Sequence, residues 1–175
     1  MDRTQPVADR EAAALRRVQG ALAAPPVVQT ARALSFFGEH SAGWFAVGIA
    51  GALFDRQRRA GWLVASAGVV LAHAASIGVK RAVRRPRPDD PAIKVLVGTP
   101  SRLSFPSSHA TSTTAAAVLF GRLTGRRLVP MLVPPMLVSR LVLGVHYPTD
   151  VLAGSLLGAA VATGLRRWVP ARGSR

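Results

Sequence analysis

Residues 61–79, GWLVASAGVVLAHAASIGV, run for nineteen positions without a formal charge and close directly against Lys80. That is about the 20 apolar residues a helix needs to cross the hydrocarbon core of a bilayer. The stretch therefore dictates a membrane-spanning helix, and the rest of the chain has to be arranged around it. Residues 151–165 form a second such span, carrying a Gly154-x-x-x-Gly158 pair that permits close backbone contact with a neighbour. Residues 41–54 are also free of charge but short, so a span there has to borrow from its flanks.

Two further helices complete the expected core. One begins near Ser107 and runs through TSTTAAAVLF to about Leu123, with hydroxyls that can bond helical carbonyls and alanines that allow close packing. The other covers residues 128–145, where Pro130, Pro134 and Pro135 predict a kink or a late start. Ahead of these, residues 11–37 mix apolar residues with Arg16, Arg17 and Arg32 and read as an amphipathic helix lying along the interface. Residues 1–10 are polar and expected to fray. The fold class is thus an all-α integral membrane bundle of five to six helices. It forms one domain over residues 1–175: an interfacial segment at 1–40, a helical core at 41–168 and a basic tail at 169–175.

Half of the chain is apolar, yet it carries a formal charge of +15. That pairing suits either a membrane protein with basic loops or a nucleic-acid binder, so the placement of charge decides. The aromatics are few and sit in apolar spans, and the cations are divided among loops on both faces, which argues against nucleic acid. With no cysteine there is no disulfide or thiolate chemistry, and the first forty residues lack the pattern of a secretory signal. Alternating the spans puts the turns at 55–59 and 121–127 on one side with the tail. Those segments, counted with Arg166 and Arg167 just before the tail, hold ten Lys and Arg against one acid, Asp55, which predicts a cytoplasmic location for them, with Trp62 and Trp168 at the boundary.

Ionisable residues inside apolar sequence are expensive and mark functional sites by default. Residues 139–150, SRLVLGVHYPTD, place Arg140, His146 and Asp150 in such a setting. An imidazole can act as nucleophile or proton carrier, a carboxylate bonded to its second nitrogen fixes the tautomer, and an arginine offers a planar fork to phosphate oxygens. Pro148 separates His146 from Asp150, so His146 is expected to end one helix and Asp150 to open the next. Upstream, KRAVRRPRP supplies Lys80, Arg87 and Pro88, and FPSSH supplies Pro106, Ser107, Ser108 and His109.

Read together, K-x6-R-P, P-S-x-H and S-R-x5-H-x3-D resemble the type 2 phosphatidic acid phosphatase (PAP2) superfamily of membrane lipid phosphatases. The resemblance spans residues 80–150 and departs at one fixed position, where Ser108 replaces the glycine of the usual P-S-G-H and removes its freedom at positive φ. It implies a lipid phosphate substrate, polyprenyl-linked as the leading expectation, with polyprenyl diphosphate, phosphatidic acid and phosphatidylglycerol phosphate as alternatives. It implies further that His146 attacks phosphorus to give a phosphohistidine, that Asp150 orients it, and that His109 serves as general acid and then base. Lys80, Arg87, Ser107, Ser108 and Arg140 hold the phosphoryl oxygens, and neither metal nor cofactor is implied. Vanadium haloperoxidases share the constellation, but in larger, soluble chains.

Alone, each block has a plainer reading: a basic stripe for anionic lipid, a helix cap and a structural hydrogen bond. A non-enzymatic basic membrane-binding protein is accordingly the competing class, and self-association is open on the sequence. His73, a lone imidazole on a small-residue helix, is read as structural. Arg81, Arg84 and Arg85 are assigned to lipid headgroups or the surface.

Overall fold

The computed structural model describes residues 5–173. Among these there are seven α-helices: α1 (Gln5–Leu22), α2 (Pro25–Gly38), α3 (Ala42–Phe54), α4 (Arg59–Val83), α5 (Ser108–Thr124), α6 (Val129–Val142) and α7 (Pro148–Leu165). The backbone extends between α4 and α5, where residues 84–107 form a long loop pinned by an antiparallel bridge between Pro86 and Leu103. The bundle is all-α: five core helices, α3 to α7, as the apolar spans predict, preceded by two N-terminal ones. Two segments, Arg56–Val83 and Pro148–Trp168, are long and apolar enough to cross a membrane.

The polarity of the bundle is inverted relative to a water-soluble core. Its centre is α5, whose buried residues are mostly Ala, Ser and Thr. Small side chains let neighbouring backbones approach, which drives helix association where lipid removes the hydrophobic incentive. Gly158 makes the point: a Cβ there would lie 2.2 Å from the Thr111 carbonyl oxygen, so α7 rests directly on the α5 backbone. The bulky residues point outward instead. Phe45, Leu53, Phe54, Leu63, Leu71, Met131, Leu152 and Leu156 are exposed on α3, α4, α6 and α7, an apolar belt suited to lipid.

The N-terminal region departs from the expectation of one interfacial helix. Pro25 and Pro26 start a new helix, as proline does at a first turn, and both helices pack onto the bundle. Leu15 is fully buried. Gln19 donates to the carbonyls of Lys94 and Val142 and accepts from the Lys94 amide. Helical order is present from Gln5 onward, against the fraying expected over residues 1–10, and residues 1–4 and 174–175 lie outside the described residues. α6 runs unbroken through Pro134 and Pro135.

At one end of the bundle the basic turns and tail meet as the alternation of spans predicts. Arg58 donates to the Leu123 carbonyl at 2.6 Å and pairs with Asp55 at 2.8 Å. Arg122 reaches the Val169 carbonyl and Arg172 that of Thr124. Trp62, expected at the membrane boundary, is buried, with its indole N–H on Asp55. The three motif blocks lie at the other end.

Candidate active site

At that end a cavity of about 530 Å³ is walled by α2, α4, the 84–107 loop, the start of α5 and the α6–α7 connection. His146 lies between α6 and α7, where the chain turns at Gly144. That residue has φ +70°, and a Cβ on it would meet the Lys94 carbonyl at 2.4 Å, so only glycine fits without strain. α7 opens at Pro148, and Asp150 in its first turn accepts the Tyr147 amide at 2.8 Å, a cap of the kind expected where a helix restarts.

The two nitrogens of His146 face different partners. Nε2 is 3.3 Å from an Arg87 terminal nitrogen. A guanidinium has only donors, so Nε2 holds a lone pair and the proton sits on Nδ1, facing the Asp150 carboxylate at 3.5 Å. That separation is longer than a well-formed hydrogen bond. Burial pushes the imidazole down to about 4; the Arg87 and Lys80 charges act in the same direction and Asp150 opposes them. His146 is therefore neutral at pH 7, with a free lone pair on Nε2 directed at the cations.

Arg87 is held by the Ser101 carbonyl at 2.8 Å and the Val145 carbonyl at 2.6 Å. Burial lowers it to about 10, so it stays charged at neutral pH. Arg140, 2% exposed, donates to Ser139 Oγ, to Ser35 Oγ at 3.0 Å and to the Ala31 carbonyl at 3.4 Å. Each guanidinium keeps N–H groups beyond those commitments. His109 lines the same cavity, and its Nε2 lies 3.0 Å from the Ser35 carbonyl. A carbonyl only accepts, so Nε2 carries a proton and Nδ1 is the nitrogen left for proton transfer.

Lys80 lines the cavity, but its ammonium donates to three carbonyls, those of Leu103, Ser104 and Pro106, at 3.0 to 3.1 Å. It clamps the loop leading into α5 and contributes its charge from that position. Ser108 also lines the cavity; its hydroxyl is 2.7 Å from that of Ser76. It is the first residue of α5 and does not adopt positive φ, so nothing there requires glycine. Ser107 is placed differently from the sequence expectation. It is fully buried, its hydroxyl caps α5 by accepting the Ala110 amide, and it is not among the residues that line the cavity.

Three contributions were missed by sequence reasoning. Arg85, expected at lipid headgroups or the surface, bonds Asp150 Oδ1 at 3.0 Å and Glu11 at 2.5 Å. Its ring-facing carbon also lies 4.2 Å over Tyr147. Glu11 on α1 in turn accepts the Thr149 amide and hydroxyl, so a helix read as interfacial anchors the carboxylate behind His146. α2 supplies the Ser35 contacts to both His109 and Arg140, and a Cβ on Gly38 would lie 2.7 Å from the His109 ring. His73 is hydrogen-bonded to Ser41, in keeping with a structural role, yet it also lines the cavity. The only hint in the sequence was Glu11, an acid opening an otherwise basic helical segment.

Comparison with known proteins agrees with this arrangement. The PAP2 superfamily model matches residues 59–174. The decaprenylphosphoryl-5-phosphoribose phosphatase of Mycolicibacterium smegmatis is 63% identical over 145 residues, covering 82% of this chain and 81% of that protein. Its namesake from Mycobacterium tuberculosis is 57% identical over 152 residues, covering 86% of each. Among solved structures, the transmembrane PAP2-type phosphatidylglycerolphosphate phosphatase from Bacillus subtilis superposes with a TM-score of 0.76 at 20% identity, over 96% of this chain and 87% of that one. LpxE from Aquifex aeolicus gives 0.70 at 20% identity, over 87% and 92%. The chain belongs to the PAP2 superfamily of membrane phosphatases.

Proposed function

We propose that this protein removes the 5-phosphate from decaprenylphosphoryl-5-phosphoribose, through a phosphohistidine at His146. The observation that carries the reading is the His146 lone pair aimed into a cavity ringed by Arg87, Arg140 and His109. Such a site holds a tetrahedral anion by its equatorial oxygens and puts a nucleophile in line with the leaving group. The substrate is taken from the two relatives, each identical to this chain at more than half of the aligned positions.

In the first step His109 takes up on Nδ1 the acidic proton of the bound phosphomonoester monoanion; the Nε2–P bond then forms as the bond from phosphorus to the ribose oxygen breaks, and His109 gives that oxygen the proton from Nδ1. The Ser35 carbonyl holds the other proton, on Nε2, throughout. Nδ1–H of His146 faces Asp150, which stabilises the positive charge developing on the ring. In the second step the neutral His109 takes a proton from water as the water oxygen attacks phosphorus. The N–P bond then breaks, inorganic phosphate leaves and His146 is restored. Arg87 and Arg140 hold the phosphoryl oxygens through both steps, with Ser108 and the first amides of α5 alongside.

The excess of cations on the turn-and-tail side supports a cell-membrane topology with that side cytoplasmic and the active site outside. The test of function is phosphate release from decaprenylphosphoryl-5-phosphoribose by the purified protein in detergent containing EDTA, beside His146→Ala. Turnover that survives chelation and vanishes in the variant is expected. Turnover by His146→Ala would remove the nucleophile assignment, and loss on chelation would place the protein in a different mechanistic class.

A further inference from the structure

Beyond the catalytic cluster the cavity continues as a groove between α2 and α4, and its two walls repeat one pattern. His40 and His73 face each other with ring centroids 6.4 Å apart. From there both walls climb toward the 84–107 loop: Arg32 reaches the Leu96 carbonyl at 3.0 Å, and Lys80, next to Arg81, reaches that of Leu103. Four residues before His40, across the break that ends α2 at Gly38, stands Phe36, and one helical turn beyond His73 on α4 stands Ile77. One turn further stands a cation, Arg32 on α2 and Arg81 on α4. Residues four apart share a helix face, and all six line the cavity. The groove thus has an imidazole rung, an apolar rung and a guanidinium rung, and on α4 the last lies about 12 Å from the first at 1.5 Å per residue.

The guanidinium rung is unsatisfied. Among the described residues no carboxylate pairs with Arg32 or Arg81, and Arg32 commits only its Nε. The acid of the cavity, Glu39, adjoins the imidazole rung at the opposite end. Two cations without a carboxylate partner that line one cavity repel each other unless an anion lies between them. Going from Arg81 to Ile77, α4 runs deeper into its membrane-spanning segment, so the rungs pass from headgroup level toward hydrocarbon.

We infer that Arg32 and Arg81 bind a second, non-reacting phosphate of the substrate, the diester that joins the sugar to the polyprenyl chain, and that this chain leaves between Phe36 and Ile77. The inference rests on the substrate reading above, in which one molecule carries both a phosphomonoester and a phosphodiester. The monoester enters the Arg87–Arg140–His146 cluster, and the diester, one sugar away, meets the outer pair. Selectivity for a lipid with two phosphates over a lipid with one then resides in residues that never touch the reacting phosphorus.

The test compares kcat/KM for decaprenylphosphoryl-5-phosphoribose with that for a long-chain alkyl monophosphate. Wild type, Arg32→Gln, Arg81→Gln and the double variant are assayed in non-ionic detergent free of anionic lipid, with thermal melts to check that each is folded. The ratio of the two values is expected to fall about tenfold in each single variant and further in the double, through KM. An unchanged ratio in folded variants overturns the inference. So does a variant defect that appears only when phosphatidylglycerol is added, because the pair would then be binding bulk headgroups. A wild type that hydrolyses the alkyl phosphate but not the two-phosphate lipid would overturn the substrate reading itself, an outcome separate from the other two.

Discussion

Both ends of the bundle are basic, and each spends its arginines differently. At the turn-and-tail end Arg58, Arg122 and Arg172 bend back onto carbonyls at the ends of neighbouring helices and remain half-buried or exposed. Cations suit those positions, where helix C-termini present unsatisfied carbonyls, and each such contact is worth about 0.3–1 kcal/mol. At the site end Arg140 is all but inaccessible and Arg87 is half-buried. Carbonyls and hydroxyls from three or more segments hold them, with donors left over. A charge count cannot tell the two ends apart. What distinguishes them is burial with incomplete satisfaction, which stabilises little by itself and readies the donors for an anion.

The sharpest break of that comparison is His146→Ala, which should lower kcat/KM on the order of 10⁴-fold or more and abolish acid-labile ³²P labelling of the protein. Next, Arg87→Lys or Arg140→Lys should cost about 10²- to 10³-fold, because an ammonium keeps the charge but loses the fork that meets carbonyl and phosphate together. Glu11→Gln should lower kcat about tenfold with little change in KM, by loosening the Arg85–Asp150 pair behind the nucleophile. Single-turnover labelling of His146 would report it, and an unaltered rate would reduce Glu11 to a packing role. At the other end Arg58→Gln or Arg172→Gln should leave kcat/KM within about twofold of wild type.

The response to pH sharpens the same contrast. The folded His146 takes up a second proton only below about 4, against 6.5 for a free imidazole. Between those values the unfolded chain takes up a proton that the folded site refuses, so the stability due to this group is intact above pH 6.5 and lost as pH falls toward 4. Melting temperature in detergent should fall across that window in wild type and fall less in His146→Gln. An equal decline in both would assign the acid sensitivity to other groups.

What could be read from the sequence follows the cost of burying charge. Arg140, His146 and Asp150 stood out because ionisable residues inside an apolar run demand an explanation, whereas Arg87 and His109 were legible only through the spacing of the three blocks taken together. The spans were legible because the bilayer imposes a length. Ser107 misled because a serine before a helix can cap it or bind an anion, and only the direction of its hydroxyl decides. The parts played by α1 and α2 left no periodic trace. Glu11 meets Arg85 across 74 positions and Ser35 meets Arg140 across 105, and in an arginine-rich amphipathic helix one acid and one serine look like ordinary surface residues. Arg85 was hidden for a related reason: in a run of five cations nothing local shows which one has a buried carboxylate partner.

The stretch that the family model recognises begins at residue 59, yet Ser35 bonds both His109 and Arg140, the proposed acid–base imidazole and phosphate ligand, from outside it. Every motif residue would survive a transplant of the recognised stretch into another membrane scaffold, but one wall of the reaction chamber would stay behind. Grafted active sites in this superfamily should therefore bring along the segment that precedes the signature, and chimaeras joined near residue 59 should be catalytically crippled even when every motif is present.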